Sequence, residues 1–228
     1  MGALSLALTL AIYQGSRALY RRHPRLLLSP IFISPLALAL ILVYGGIDYD
    51  RYMEGGRWLS LLLSPATVAL AVPMYKHRHL IRQYGLSLGL GVLLGSAAAI
   101  ISSVLPPLLL GWDSALVISL APRSVTTPIA MEIARAYAGE PVMAAVFVIL
   151  TALLGLIIGP LTIRYLAIRS AIGKGVLFGM GAHGVGTARA FELGQVEGTV
   201  SSLSMILAAF VTLALIPLLL PLLFTVAP

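Results

Sequence analysis

Residues 86–105 read LSLGLGVLLGSAAAIISSVL and residues 142–163 read VMAAVFVILTALLGLIIGPLTI, and neither run carries a charge. Each is as long as the roughly 20 apolar residues a helix needs to cross the hydrocarbon core of a bilayer. The rest of the chain agrees. Of its 228 residues 59% are hydrophobic and 10% charged, where a soluble domain would have about a quarter charged. We therefore expect an all-α polytopic membrane protein with about 7–8 hydrophobic segments. They fall at 2–20, 26–45, 57–75, 83–106, 114–137, 142–163, 175–191 and 197–221.

Charge placement sets the expected topology. Of 15 Lys and Arg, ten lie in three clusters: Arg17/Arg21/Arg22/Arg25, Lys76/Arg78/Arg82 and Arg164/Arg169/Lys174. Under the positive-inside rule these are cytoplasmic loop charges, so the net charge of +7 does not point to nucleic acid. The acidic residues Asp48, Asp50, Glu54 and Asp113 then fall on the outer side of an inner (plasma) membrane. The first apolar run precedes its positive charges and has no A-x-A-like site, so it reads as a retained helix, not a cleaved signal peptide. No cysteine is present, which excludes disulfides and thiolate chemistry.

The segment 114–137 breaks the pattern. It contains LAPRSVTTPIAM at 120–131, with Arg123 between Pro122 and Pro128. If it crossed once, Arg164, Arg169 and Lys174 would be carried to the outer side. Entering and returning on one face restores the charge rule, and each proline interrupts a helix by lacking the N–H donor. A broken or re-entrant element is expected, tolerated at membrane depth only under protein or water cover. Leu63-Ser64-Pro65-Ala66-Thr67, with Pro73 beyond, echoes Leu120-Ala121-Pro122-Arg123-Ser124, with Pro128 beyond. Interrupted segments in two halves are a transporter signature. This predicts one transmembrane domain over 1–228, with repeat units of about 26–110 and 111–225 and an extra N-terminal helix at 1–25.

Arginine in hydrocarbon costs at least about 2.5–3.5 kcal/mol, so Arg123 must snorkel or face a hydrated cavity. Its fork suits a carboxylate, and Ser124, Thr126 and Thr127 offer hydroxyls beside it. A second polar island, GMGAHGVGTARAFE at 179–192, supplies His183, Thr187, Arg189 and Glu192. Its GxGxxG lacks the βαβ setting of a dinucleotide site. Arg189 and Glu192 are spaced to pair on one helical face, and His183 is a candidate proton relay or a packed hydrogen-bonder. Glu192 and Glu197 read as carboxylates of the outer end. Ser201, Ser202 and Ser204 are expected at a helix–helix contact. No nucleophile–base–acid spacing and no metal cluster is recognisable. An enzyme is not expected, nor a cofactor.

Three blocks, LSPATVALAVPMY (63–75), PRSVTTPIAMEIA (122–134) and GAHGVGTARAFELGQVEGTVSSLSM (181–205), resemble the signature blocks of the LrgB/CidB family. The similarity covers nearly the whole chain. The family includes antiholin-like proteins and the membrane half of the plastid glycolate/glycerate translocator. One departure is Arg123, where lysine is expected in many members. The resemblance implies two functions: carriage of small monocarboxylates such as glycolate, glycerate or pyruvate, or holin/antiholin-like control of murein hydrolase export and lysis. It also implies an LrgA/CidA-like small membrane partner, and a homo-oligomer is expected. In the carrier reading the site comprises Thr67, Arg123, Ser124, Thr126, Thr127, His183, Thr187, Arg189 and Glu192. The lysis reading needs no ligand pocket.

Overall fold

The computed structural model describes residues 2–23, 28–62, 65, 68–69, 71–76 and 78–226; Thr67 and most of the 63–67 echo lie outside them. Among the described residues the chain is helical throughout, without strands. It divides into two compact units, residues 1–72 and 73–228, bridged in sequence by a short helix Ala71–Lys76.

The first unit holds α1 (Gly2–Arg22), α2 (Pro30–Tyr44) and α3 (Tyr49–Leu61). Ser29 caps α2 by accepting from the Ile31 N–H, and Pro30 starts it where no donor is needed. Hydroxyls tie the unit together, with Ser16 Oγ to Ser34 Oγ at 2.8 Å and Thr9 Oγ1 to the Tyr52 hydroxyl at 2.9 Å. Gly55 lets α3 lie against α1, since a Cβ there would run into the Gly2 carbonyl. The acidic residues Asp50 and Glu54 lie in α3 and Asp48 precedes its first residue without a side-chain cap bond, so this helix starts eight residues before the expected 57.

The second unit is built on three helices long and apolar enough to cross a membrane: α4 (Arg78–Leu109), α7 (Pro141–Tyr165) and α9 (Gln195–Val226). Between them lie α5 (Ser114–Leu120), α6 (Thr127–Ala136) and α8 (Ala171–Leu193). The packing fixes their directions. Tyr84 and Leu88 near the start of α4 cluster with Ile172 and Val176 of α8 and with Val200 and Leu203 of α9. Ile100 and Val104 near its end cluster with Ile216 and Leu220. So α4 and α9 run parallel. Helix α7 runs the other way: Gly159 near its end abuts Phe178 of α8, and Gly155 abuts the Gly181 carbonyl.

Helix α8 does not cross. A continuous helix of 23 residues would be about 35 Å long. His183 instead has φ 49° and ψ −131°, and the backbone reverses there. A Cβ on Gly186 would fall on the Phe178 carbonyl, although eight helical residues should separate the two by about 12 Å. Gly179 and Thr187, four residues either side of His183, both meet Ser201. Further out, Gly175 meets Glu197 and Val200 while Phe191 meets Gly198. These paired contacts define a re-entrant hairpin whose tip is His183. Glu192 and Glu197 consequently lie at its base with Lys174, on the face that bears Arg78 and Arg82, and not at the opposite end as the sequence suggested.

Helices α5 and α6 make the other hairpin. Their segment leaves the end of α4 and reaches the start of α7, and those two ends share a face because α4 and α7 are antiparallel. Asp113 caps α5 by accepting from the Ala115 and Leu116 N–H groups at 2.9 and 3.4 Å. After α6 the chain returns to α5, where the Glu140 N–H donates to Ser119 Oγ at 2.6 Å. The expected same-face return of 114–137 is what the fold contains. The unit thus reads helix, hairpin, helix, hairpin, helix, with the two hairpins inserted from opposite faces.

Candidate functional site

The two hairpins meet at their tips. Residues 121–126 form the turn between α5 and α6, held by the Arg123 N–H donating to the Leu120 carbonyl and the Val125 N–H to the Pro122 carbonyl. His183 Nε2 lies 3.1 Å from the Arg123 carbonyl. A carbonyl only accepts, so Nε2 carries the proton and Nδ1 presents a lone pair. The contact is near mid-depth, because Ala182 and Gly181 pack on Gly155, close to the middle of α7. Irregular backbone at that depth is covered here by protein on every long helix of the unit.

Arg123 is half-buried, and its Nε donates to Ser103 Oγ of α4 at 2.5 Å. That hydroxyl in turn donates to the Ala99 carbonyl, so both its roles are used. The bond fixes the plane of the guanidinium while its terminal nitrogens meet no partner among the described residues. The ion pairs given by those residues join Arg135 to Glu132 and Arg189 to Glu192, and neither compensates Arg123. Ser124, Thr126 and Thr127 are half-buried beside it, and their hydroxyls make no hydrogen bond within the described residues. The forked end of the guanidinium is thus left uncommitted, and a guanidinium fork matches the geometry of a carboxylate.

Three buried polar atoms lack partners at the same depth: His183 Nδ1, Ser96 Oγ and Ser204 Oγ. Ser96 follows Gly95, which faces Met180, and Ser204 stands nearly one turn beyond Ser201. Orphaned groups of this kind cost about 1–3 kcal/mol each unless water or a ligand satisfies them.

The residues singled out from the sequence divide into two places. Arg123, Ser124, Thr126, Thr127 and His183 come together at the tips. Thr187 is a tether, its Oγ1 3.0 Å from Ser201 Oγ. Arg189 and Glu192 pair with each other near the base of the α8 hairpin, about 9 and 14 Å of helix from His183. Ser103 was not singled out; it sits in an apolar run with no local signal beyond being a serine there. Ser202 bonds back to the Gly198 carbonyl at 2.9 Å, a helix-internal satisfaction of a buried hydroxyl.

A profile of the LrgB-like family matches residues 9–222. The chain belongs to the LrgB-like family. It is 48% identical to the uncharacterized protein YwbG of Bacillus subtilis over 220 residues, 96% of this chain and 98% of that one. Identity to the uncharacterized protein YxaC of the same organism is 39%, covering 89% and 88% of the two chains. The holin-like protein CidB of Staphylococcus aureus is 33% identical over 95% of this chain and 94% of its own. No solved structure matches the chain. The LrgB-like protein described here is thus an all-helical, polytopic membrane protein, in agreement with the resemblance carried by its signature blocks.

Proposed function

We propose that this LrgB-like protein is a secondary transporter of small monocarboxylates, with the anion bound where the two hairpin tips meet. The observation that carries the reading is the uncompensated Arg123 guanidinium, anchored by Ser103 and open at its forked end. An arginine at mid-depth costs a few kcal/mol, and a carboxylate held by two parallel N–H···O bonds offsets that cost only while bound. In this reading Ser124, Thr126 and Thr127, whose hydroxyls make no hydrogen bond within the described residues, take a substrate hydroxyl or carbonyl.

The helix–hairpin order supports an inverted repeat, in which α4 with the α5–α6 hairpin answers α7 with the α8 hairpin from the other face. Transporters of that design bind at the repeat interface, on discontinuous helices, and move one element against the other to alternate access. In this reading the protein resides in the bacterial inner membrane with the basic face cytoplasmic. It works beside an LrgA/CidA-like small membrane protein and has no catalytic chemistry.

The test is uptake of labelled glycolate and pyruvate into proteoliposomes, with and without the small partner. Saturable uptake lost in Arg123→Gln supports the site; undiminished uptake in that variant overturns it. A second reading, a holin-like regulator of lysis, draws on the name of the Staphylococcus relative. It predicts leakage of an unrelated trapped dye, indifferent to Arg123→Gln, with no saturable carboxylate flux.

A further inference from the structure

The base of the α8 hairpin contains a cationic cavity, remote from the tips. It has a volume of about 160 Å³ and is lined by Pro160, Ile163, Lys174, Phe178, Arg189 and Leu193. Lys174 and Phe178 belong to the first limb, Arg189 and Leu193 to the second, and the prolyl and isoleucyl walls come from α7. The hairpin therefore brings two cations, fifteen residues apart in sequence, to one small space.

Within the lining itself no carboxylate stands beside the two cations. Glu192 pairs with the Arg189 terminal amino group, whereas Lys174 has no partner among the described residues. The Glu197 carboxylate lies against Gly194 and is not part of the lining. Arg164 and Arg169 precede the hairpin on the same face and add positive potential. In addition, Arg189 Nε is buried without an acceptor. An unpaired lysine ammonium and an arginine thus line a cavity with the volume of about five waters. Its remaining walls are apolar, which suits a ligand with a charged oxygen group and a carbon body.

We propose that this cavity binds a monovalent oxyanion, a carboxylate or the phosphodiester of a lipid headgroup, which bridges Lys174 and Arg189 and clamps the two limbs together. The site is separate from Arg123 and does not depend on the transport reading. Anything that binds the folded protein raises its unfolding temperature, so the purified protein in detergent is titrated at constant ionic strength. The soluble probe is sodium acetate against sodium chloride; the lipid probe is dihexanoyl phosphatidylglycerol against dihexanoyl phosphatidylcholine. A saturable rise of about 3 °C or more is expected with acetate, with phosphatidylglycerol or with both, and which probe acts identifies the source. In the Arg123→Gln background, where the tip site cannot answer, the rise persists; Lys174→Met added there removes it and Lys174→Arg added there keeps it. No rise with either anion, or a rise that survives Lys174→Met, overturns the proposal. A rise abolished by Arg123→Gln instead places the anion at the hairpin tips, which refutes this site and leaves the transport reading standing.

Discussion

Replacing Gly186 by alanine distinguishes a folded-back α8 from a straight one by the sign of its effect. In the hairpin a Cβ at 186 would fall on the Phe178 carbonyl and 2.8 Å from the Ala182 Cβ. A carbon and a carbonyl oxygen cannot sit that close, so the limbs must part. Overpacking of this kind costs about 1–3 kcal/mol. Parting also stretches the 3.0 Å bond between Thr187 and Ser201, one residue on, worth about 1 kcal/mol. Together the loss is about 2–4 kcal/mol. In a straight helix the same substitution would meet nothing from Phe178 and would gain up to about 1 kcal/mol from helix propensity. Gly181→Ala is the internal control, because a Cβ there has open space and only the propensity gain applies. Thermal unfolding in detergent measures both; the loss corresponds to a midpoint lowered by about 4–16 °C for a chain of this size. Gly186→Ala at or above the wild-type midpoint, with Gly181→Ala behaving alike, would refute the hairpin.

Two further substitutions address the site and the topology. Ser103→Ala removes the acceptor that orients Arg123 while leaving the charge in place; a hydrogen bond to a charged group is worth about 1.5–3 kcal/mol, so KM for a transported carboxylate should rise about tenfold or more with the protein still folded. Single cysteines at Ser170 and Gln195, placed in a chain that has none of its own, should both react with an impermeant maleimide from one side of oriented vesicles. Labelling from opposite sides would mean that α8 crosses.

The first hairpin was legible in the sequence and the second was concealed, for a physical reason. Around 114–137 the signals were chemical and redundant: two prolines, an arginine at depth, and three cations that a single crossing would misplace. Helix α8 contains no proline, and its 23 residues are long enough to span. Its reversal rests on His183 taking a left-handed φ, which side chains other than glycine seldom do. The one trace of it was the glycine spacing at 175, 179 and 186, whose meaning as close-approach points needed the partner surfaces at Glu197, Ser201 and Phe178. The same concealment moved Arg189 and Glu192 away from Arg123. Ser103 and Lys174 acquired roles only through what the fold set opposite them, and the 63–67 echo lies largely beyond the described residues.

The contact between His183 and the Arg123 carbonyl also bears on how the protein is made. Sixty residues separate the two partners. At a synthesis rate of about 5–20 residues per second, the first hairpin waits roughly 3–12 s for the residue that seals its tip. During that interval the Arg123 carbonyl lacks the partner that His183 later supplies, and a bilayer interior tolerates unsatisfied backbone groups poorly. The α8 hairpin depends equally on chain made after it, since both limbs rest on α9 at Ser201. Neither hairpin can be inserted as a finished unit in chain order. Both hairpins reach their final contacts only after α9 has been synthesised.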